Sequence, residues 1–126
     1  MQRKTRQREA IIRVFEESDR PLTVEEVQKR AATFTPTIGI ATVYRAVKEM
    51  LSKGSIHQVT FNGDFVFYER ADLPHHHHFF CRQCSRLFDL QGCASDVASL
   101  APGSFHVTSH DITLYGFCPD CNESAA

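Results

Sequence analysis

With 126 residues, and 14 Lys/Arg against 15 Asp/Glu, the chain can bury a core as two small units, and its overall balance by itself implies no nucleic-acid partner. No apolar run approaches the roughly 18 residues that cross a bilayer, so neither a spanning helix nor a membrane partner is expected. The start, Met1-Gln2-Arg3-Lys4-Thr5-Arg6, is basic but lacks the apolar stretch of a signal peptide. The distribution of charge says more than its total. Residues 1–54 hold eleven Lys/Arg and seven Asp/Glu, a net of +4, whereas residues 55–126 hold three and eight, a net of −5. All seven His and all five Cys also lie after residue 54. A basic half of this kind is either a nucleic-acid face or a solvated helix face. A cytoplasmic location is expected, and reduced thiols there make Cys-x-x-Cys pairs metal or redox sites before disulfides.

In chain order, a first helix is expected from Thr5 to about Glu17, with Ile11, Ile12, Val14 and Phe15 as its apolar stripe. Ser18-Asp19-Arg20-Pro21 breaks it. Thr23-Val24-Glu25-Glu26 has the form of a capping box, Thr23 as N-cap and Glu26 three residues on, opening a helix that packs through Val24, Val27 and Ala31. A third helix follows from about Gly39 and stops at Gly54. Its inner stripe is Ile40, Val43, Val47, Met50 and Leu51; Thr42, Tyr44, Arg45 and Lys48 stay outside. The apolar period then drops from about 3.6 to 2. Ile56 to Phe61 and Asp64 to Glu69 flank Asn62-Gly63, a type I′ hairpin signal. Three helices and a hairpin are the order of a winged helix-turn-helix, whose third helix enters a major groove. Protein-interaction modules share that order. Beyond Ala71-Asp72-Leu73-Pro74, Phe79 to Cys81 and Leu87 to Asp89 read as strands and Gly92 to Leu100 as a helix. Phe105 to Phe117 reads as one long strand or a bent pair.

Cys81-Arg82-Gln83-Cys84 and Cys118-Pro119-Asp120-Cys121 are two matched knuckles. Together they supply four thiolates, the closed tetrahedral set that structural zinc prefers. A thioredoxin-like pair or unligated core cysteines would not account for two matched knuckles. Cys93 is left over and reads as a small helix-face core residue.

His75-His76-His77-His78 enters a strand, where alternate side chains point to opposite faces. His76 and His78 therefore share one face and His75 and His77 the other, so the run can serve two metal sites. Glu69, Asp89, Asp96 and His110 are the carboxylates and imidazole at hand. Such mixed sets suit Fe(II), Mn(II), Co(II) or Zn(II).

Gly39-Ile40-Ala41-Thr42-Val43-Tyr44-Arg45, the His run, the two knuckles, and His110 followed by Leu114-Tyr115-Gly116 before Cys118 resemble the ferric uptake regulator (Fur) family over nearly the whole chain. The resemblance implies an α+β fold: a winged helix-turn-helix DNA-binding domain (1–70), a hinge (71–74), and an α/β dimerisation domain with a four-cysteine zinc site (75–126). It implies a homodimeric repressor on a palindromic double-stranded DNA operator, with no small-molecule substrate. Carried over by position, Cys81, Cys84, Cys118 and Cys121 hold structural Zn2+. Glu69, His76, His78 and Asp89 match a regulatory site for Fe2+, or for Mn2+ or Zn2+. His75, His77, Asp96 and His110 match a second site. Tyr44 and Arg45 match recognition-helix contacts, with Thr42 and Lys48 on the same outer face and Arg6 of the first helix near phosphates. There is one departure. Where the family carries a His just ahead of the second helix, completing the regulatory site, this chain has Pro21, and no His precedes His57. The regulatory set also lacks the nearby Cys of many zinc sensors, which favours iron or manganese; a peroxide-sensing member is a further alternative.

Two other classes compete. A metallohydrolase would need a nucleophile or base motif that the sequence does not show. A metal-storage or delivery protein would leave the basic helical half unexplained.

Overall fold

From Ala10 to Phe15 apolar or small side chains fall at helical spacing, and helix α1 (Arg3–Glu17) buries that stripe, Ala10, Ile11, Val14 and Phe15, together with the polar Gln7 one turn earlier. Ile12, expected on the stripe, is instead 37% exposed. The computed structural model describes residues 3–61, 63–93 and 96–125. It is mixed α and β, and it divides into two units between Leu73 and Pro74.

In the first unit, α2 (Val24–Ala31) opens on the capping box. The Glu26 amide donates to Thr23 Oγ1 at 3.2 Å, and the Thr23 amide donates to Glu26 Oε1 at 3.1 Å. Two of the helix's otherwise unpaired N–H groups are thus satisfied. Arg20 adds a 2.6 Å bond to Glu26 Oε2. Burial raises the Glu26 carboxyl, but Arg20 and the Thr23 amide outweigh it and hold the group below the ordinary glutamate range. The sign follows from linkage. A carboxyl with a depressed folded pKa contributes stability that is present above its ordinary value, near 4.5, and lost as pH falls through the folded one. Thr23→Ala is expected to cost about 1 kcal/mol. Glu26→Gln should be destabilised against wild type in urea at pH 7 and close to it at pH 3. A gap independent of pH would contradict the assignment.

Helix α3 (Ile40–Lys53) buries Val43 and Val47 against α1 and α2 and stops at Gly54, whose φ of 77° takes the left-handed turn that glycine adopts at no steric cost. Ile40, read as inward, is 39% exposed, because the helix begins there, outside the packed turn. Strands β1 (Ile56–Val59) and β2 (Phe67–Arg70) pair antiparallel with Val59 opposite Phe67. The expected two-residue turn does not form; Asn62 lies outside the described residues, but the register leaves residues 60–66 as the connection. Burial decided this. Phe67 is fully buried, and the Phe61 and Phe65 rings pack on it at 5.5 and 6.3 Å, which a two-residue turn would forbid by sliding the register one residue. Leu22 exchanges backbone bonds with Tyr68 at 2.9 and 2.8 Å, a single antiparallel bridge on the edge of the wing.

In the second unit, β3 (His77–Cys81) is the middle strand, antiparallel to β4 (Leu87–Leu90) and parallel to β5 (Thr113–Gly116). Two expectations are corrected. The helix read from Gly92 to Leu100 is only a 3-10 turn at Val97–Leu100, with residues 94 and 95 outside the described set. In place of the long strand or bent pair read from Phe105 to Phe117 there is only the short β5, since Phe105 and Val107, 66% and 40% exposed, have no partner strand among the described residues. A final helix, α4 (Pro119–Ala125), opens inside the second knuckle. Among the described residues the buried apolar set of this unit is Leu87 with Cys81, Cys118 and Cys121.

Candidate metal centres

The cysteine quartet sits where β3 and β5 run out together. Cys81 ends β3 opposite Gly116, and Cys118 follows two residues later. The Sγ atoms of Cys81, Cys84, Cys118 and Cys121 all lie within 4.8 Å of one another, with Cys84 and Cys118 3.9 Å apart. All four are free thiols. Burial raises Cys81, but amide N–H groups of Cys84, Cys118 and Gln83 outweigh it and bring that thiol down to about 6. Burial and the neighbouring thiols push Cys121 up to about 12. Crowded thiols thus resist becoming four thiolates unless a cation sits among them, and this donor set fits structural zinc.

The histidine run separates as strand alternation requires. His78 stands opposite Asp89 across β3 and β4. His78 Nε2 and His76 Nε2 lie 3.5 and 3.6 Å from the same oxygen, Asp89 Oδ1. Their rings are 4.8 Å apart, and all three side chains are nearly buried. Two imidazoles and a carboxylate converging at this range form a borderline-to-hard donor set, which fits a divalent ion such as Fe(II), Mn(II), Co(II) or Zn(II). Glu69 belongs to the first unit. It is 5% exposed on β2, and its Oε1 lies 2.9 Å from Nε2 of His57, its cross-strand partner on β1. Sequence reading assigned His57 nothing, because the pairing depends on the hairpin register. Pro21, which stands where the resemblance places a His, is fully buried.

On the opposite side of β3, His77 is held by the Ile112 amide, which donates to His77 Nδ1 at 3.2 Å. Burial, then neighbouring His75 and His110, keeps His77 below the usual imidazole range. His75 Nε2 and His110 Nε2 are 3.2 Å apart. Here the structure departs from the expected ligand set. Asp96 is exposed at the start of the 3-10 turn and is not in the cluster. Cys93 is there instead, its Sγ 2.8 Å from His110 Nε2 and 3.2 Å from His77 Nε2. Nor is Cys93 a core residue on a helix; it is an exposed loop residue. The missed signal was Gly92, whose φ of 90° turns the chain back after β4.

The α3 residues expected as DNA contacts lie as the helical period predicts. Tyr44 is 53% exposed, Arg45 and Lys48 are exposed, and Thr42 is half-buried on α3. Arg45 donates to Thr42 Oγ1, one turn earlier, at 3.2 Å. Arg6 is exposed on α1. No helix among the described residues is long and apolar enough to cross a membrane.

The family model described as the ferric uptake regulator family matches residues 2–115. The ferric uptake regulation protein of Campylobacter jejuni is 31% identical over 97% of this chain and 81% of its own length. The peroxide-responsive repressor PerR of Staphylococcus aureus is 29% identical over 94% and 82%. A solved structure, a zinc-bound manganese uptake regulator, superposes with a TM-score of 0.78 at 28% identity, covering 93% of this chain and 91% of that one. A winged three-helix unit, a cluster of four cysteine thiols and these matches lead to one conclusion: the chain belongs to the ferric uptake regulator family, whose members are transcriptional regulators and not enzymes.

Proposed function

We propose that this chain is a metal-responsive, homodimeric, cytoplasmic repressor that binds a palindromic operator when its regulatory site holds Fe(II). The observation that carries the reading is the convergence of His76 and His78 on Asp89 Oδ1, apart from a thiol cluster of different chemistry. The cysteine quartet would hold zinc and give the second unit its fold. The regulatory set would be His76, His78 and Asp89 with Glu69 from the wing, the carboxylate that His57 steadies. A divalent ion bound there supplies positive charge that ties imidazole and carboxylate groups to one point.

Ligands drawn from both units shift the population toward the form whose winged helices match operator half-sites. The shift is only as large as the ion's differential affinity for that form. With Pro21 in place of the family's His, Glu69 carries the wing's share of that coupling. The two domains are proposed as 1–70 and 75–126, with 71–74 as the hinge. Manganese is the second reading, supported by the likeness to the zinc-bound manganese uptake regulator.

The test is operator binding by the zinc-containing protein, titrated anaerobically with Fe(II), Mn(II) and Zn(II). Tight binding is expected to appear with Fe(II), and Glu69→Ala should lose most of the metal dependence. Equal binding with and without added metal would overturn the sensing role. Undiminished metal dependence in Glu69→Ala would remove Glu69 from it.

A further inference from the structure

We propose that His75, His77, His110 and Cys93 form a four-ligand site for a borderline divalent cation of the zinc or cobalt class, with the Cys93 thiolate as the fourth ligand in place of the Asp96 carboxylate. The inference deepens the proposed function by changing both the ligand set and the ion of its second site.

The topology brings these four residues together. Residues 110–112 run beside the start of β3, where Ile112 bonds His77 through its amide and His78 through its carbonyl. His110 is thereby set against His75, ring centroids 4.9 Å apart. On the other edge, β4 ends with Leu90 opposite His77, and the turn at Gly92 returns Cys93 to the same histidine. The four donor atoms lie within 4.8 Å of one another. Tetrahedral zinc, with nitrogen at about 2.0–2.1 Å and sulfur at about 2.3 Å, asks for donors roughly 3.3–3.6 Å apart. The pairs at 2.8, 3.2 and 3.2 Å need only move apart by a few tenths of an ångström to about 0.8 Å to admit the ion.

As built, His77 accepts the Ile112 amide at Nδ1, which leaves its proton on Nε2, facing Cys93 Sγ. Coordination through Nε2 displaces that proton to Nδ1 and releases the Ile112 amide. Cys93 loses its own proton on binding, and that proton passes to solvent as the ion is taken up.

Donor chemistry sets the ion. Three imidazoles and a thiolate are softer than three imidazoles and a carboxylate, and a thiolate favours zinc or cobalt over iron(II) or manganese. The two faces of β3 then sort metals: nitrogen and oxygen donors on the His76/His78 side, nitrogen and sulfur on the His75/His77 side. Asp96 offers no comparable position. It is exposed, and its carbonyl accepts the Ser99 amide as part of the 3-10 turn.

The test uses the whole chain with one zinc per chain in the cysteine quartet, titrated with Co(II), with zinc retention measured afterwards. A thiolate bound to Co(II) gives an intense near-ultraviolet charge-transfer band, which the sulfur-free regulatory set cannot produce. Wild type and Asp96→Ala are expected to gain the band at one equivalent per chain. Cys93→Ser should lack it and bind that equivalent at least about tenfold more weakly, since even outer partners of a ligand cost about 10–100-fold in affinity. Stoichiometric Zn(II) should also shield Cys93 from alkylation by iodoacetamide in the quartet-loaded protein.

Co(II) bound without the band, and lost in Asp96→Ala, would overturn the thiolate while leaving a second site in place. No Co(II) bound on this face in any variant would overturn both. A band that survives Cys93→Ser with zinc retained would place the thiolate elsewhere and overturn the assignment.

Discussion

Cys118→Ser is expected to release zinc and unfold the second unit while leaving the first folded. The reason is the composition of its interior: among the described residues, the buried apolar set there is three cysteines and Leu87. A unit spanning residues 74–126 is in the size range that leans on staples, and three of its buried side chains are candidate zinc ligands. Structural zinc is worth about 10–16 kcal/mol of apparent binding energy at neutral pH. That matches or exceeds the stability of most whole domains, about 5–15 kcal/mol. The first unit has its own core, in which Ile11, Leu22, Val27, Val43 and Phe67 are fully buried. Zinc content and amide exchange, read on the same sample, check this. Fast exchange confined to residues after Pro74 is the expected result. Wild-type zinc content and protection in Cys118→Ser would show that the quartet is not the staple.

Arg45→Ala should weaken operator binding by about 5–150-fold, the range for losing one base contact worth about 1–3 kcal/mol. Arg45 is exposed and bonded to Thr42 in its own helix, so its removal should change stability by no more than about 0.5 kcal/mol. Comparing operator with a scrambled duplex across salt concentrations separates its roles. If Arg45 reads a base, the loss falls on the operator alone. If it meets phosphate, both duplexes weaken and the salt slope falls by about one unit. Arg6→Ala is expected to show that second pattern. Unchanged affinity on both duplexes would mean that α3 is not the reader.

Much of the first unit was legible because its signals are local. The capping box at Thr23 and Glu26 formed as written, since all its atoms lie within one turn. Gly54 stopped α3 because a left-handed residue at a helix end favours glycine. The same local reasoning failed in the wing. Asn62-Gly63 is a strong turn signal, but it competed with the burial of Phe67, whose energy depends on residues distant in the chain. Burial outweighed the turn preference.

In the second unit the strongest clues were chemical. Paired Cys-x-x-Cys knuckles announce their partner by donor type alone, and four histidines entering a strand must divide two and two. Those conclusions need only spacing and alternation. The sequence could not say which residue completes each cluster, because that depends on where chain segments distant in sequence cross. Residues 110–112 reach His75 and His77 only through the parallel pairing of β5 with β3. Cys93 reaches them only because Gly92 reverses the chain after β4. Position in sequence gave Asp96 as the ligand and left Cys93 as a core residue. The order of helices and hairpin and the division of the histidines were thus determined by the sequence itself, through periodicity, alternation and donor chemistry, and the family by the resemblance of its motifs. Tertiary structure alone decided the hairpin register and the fourth donor beside His75, His77 and His110, because both rest on contacts that no local signal encodes.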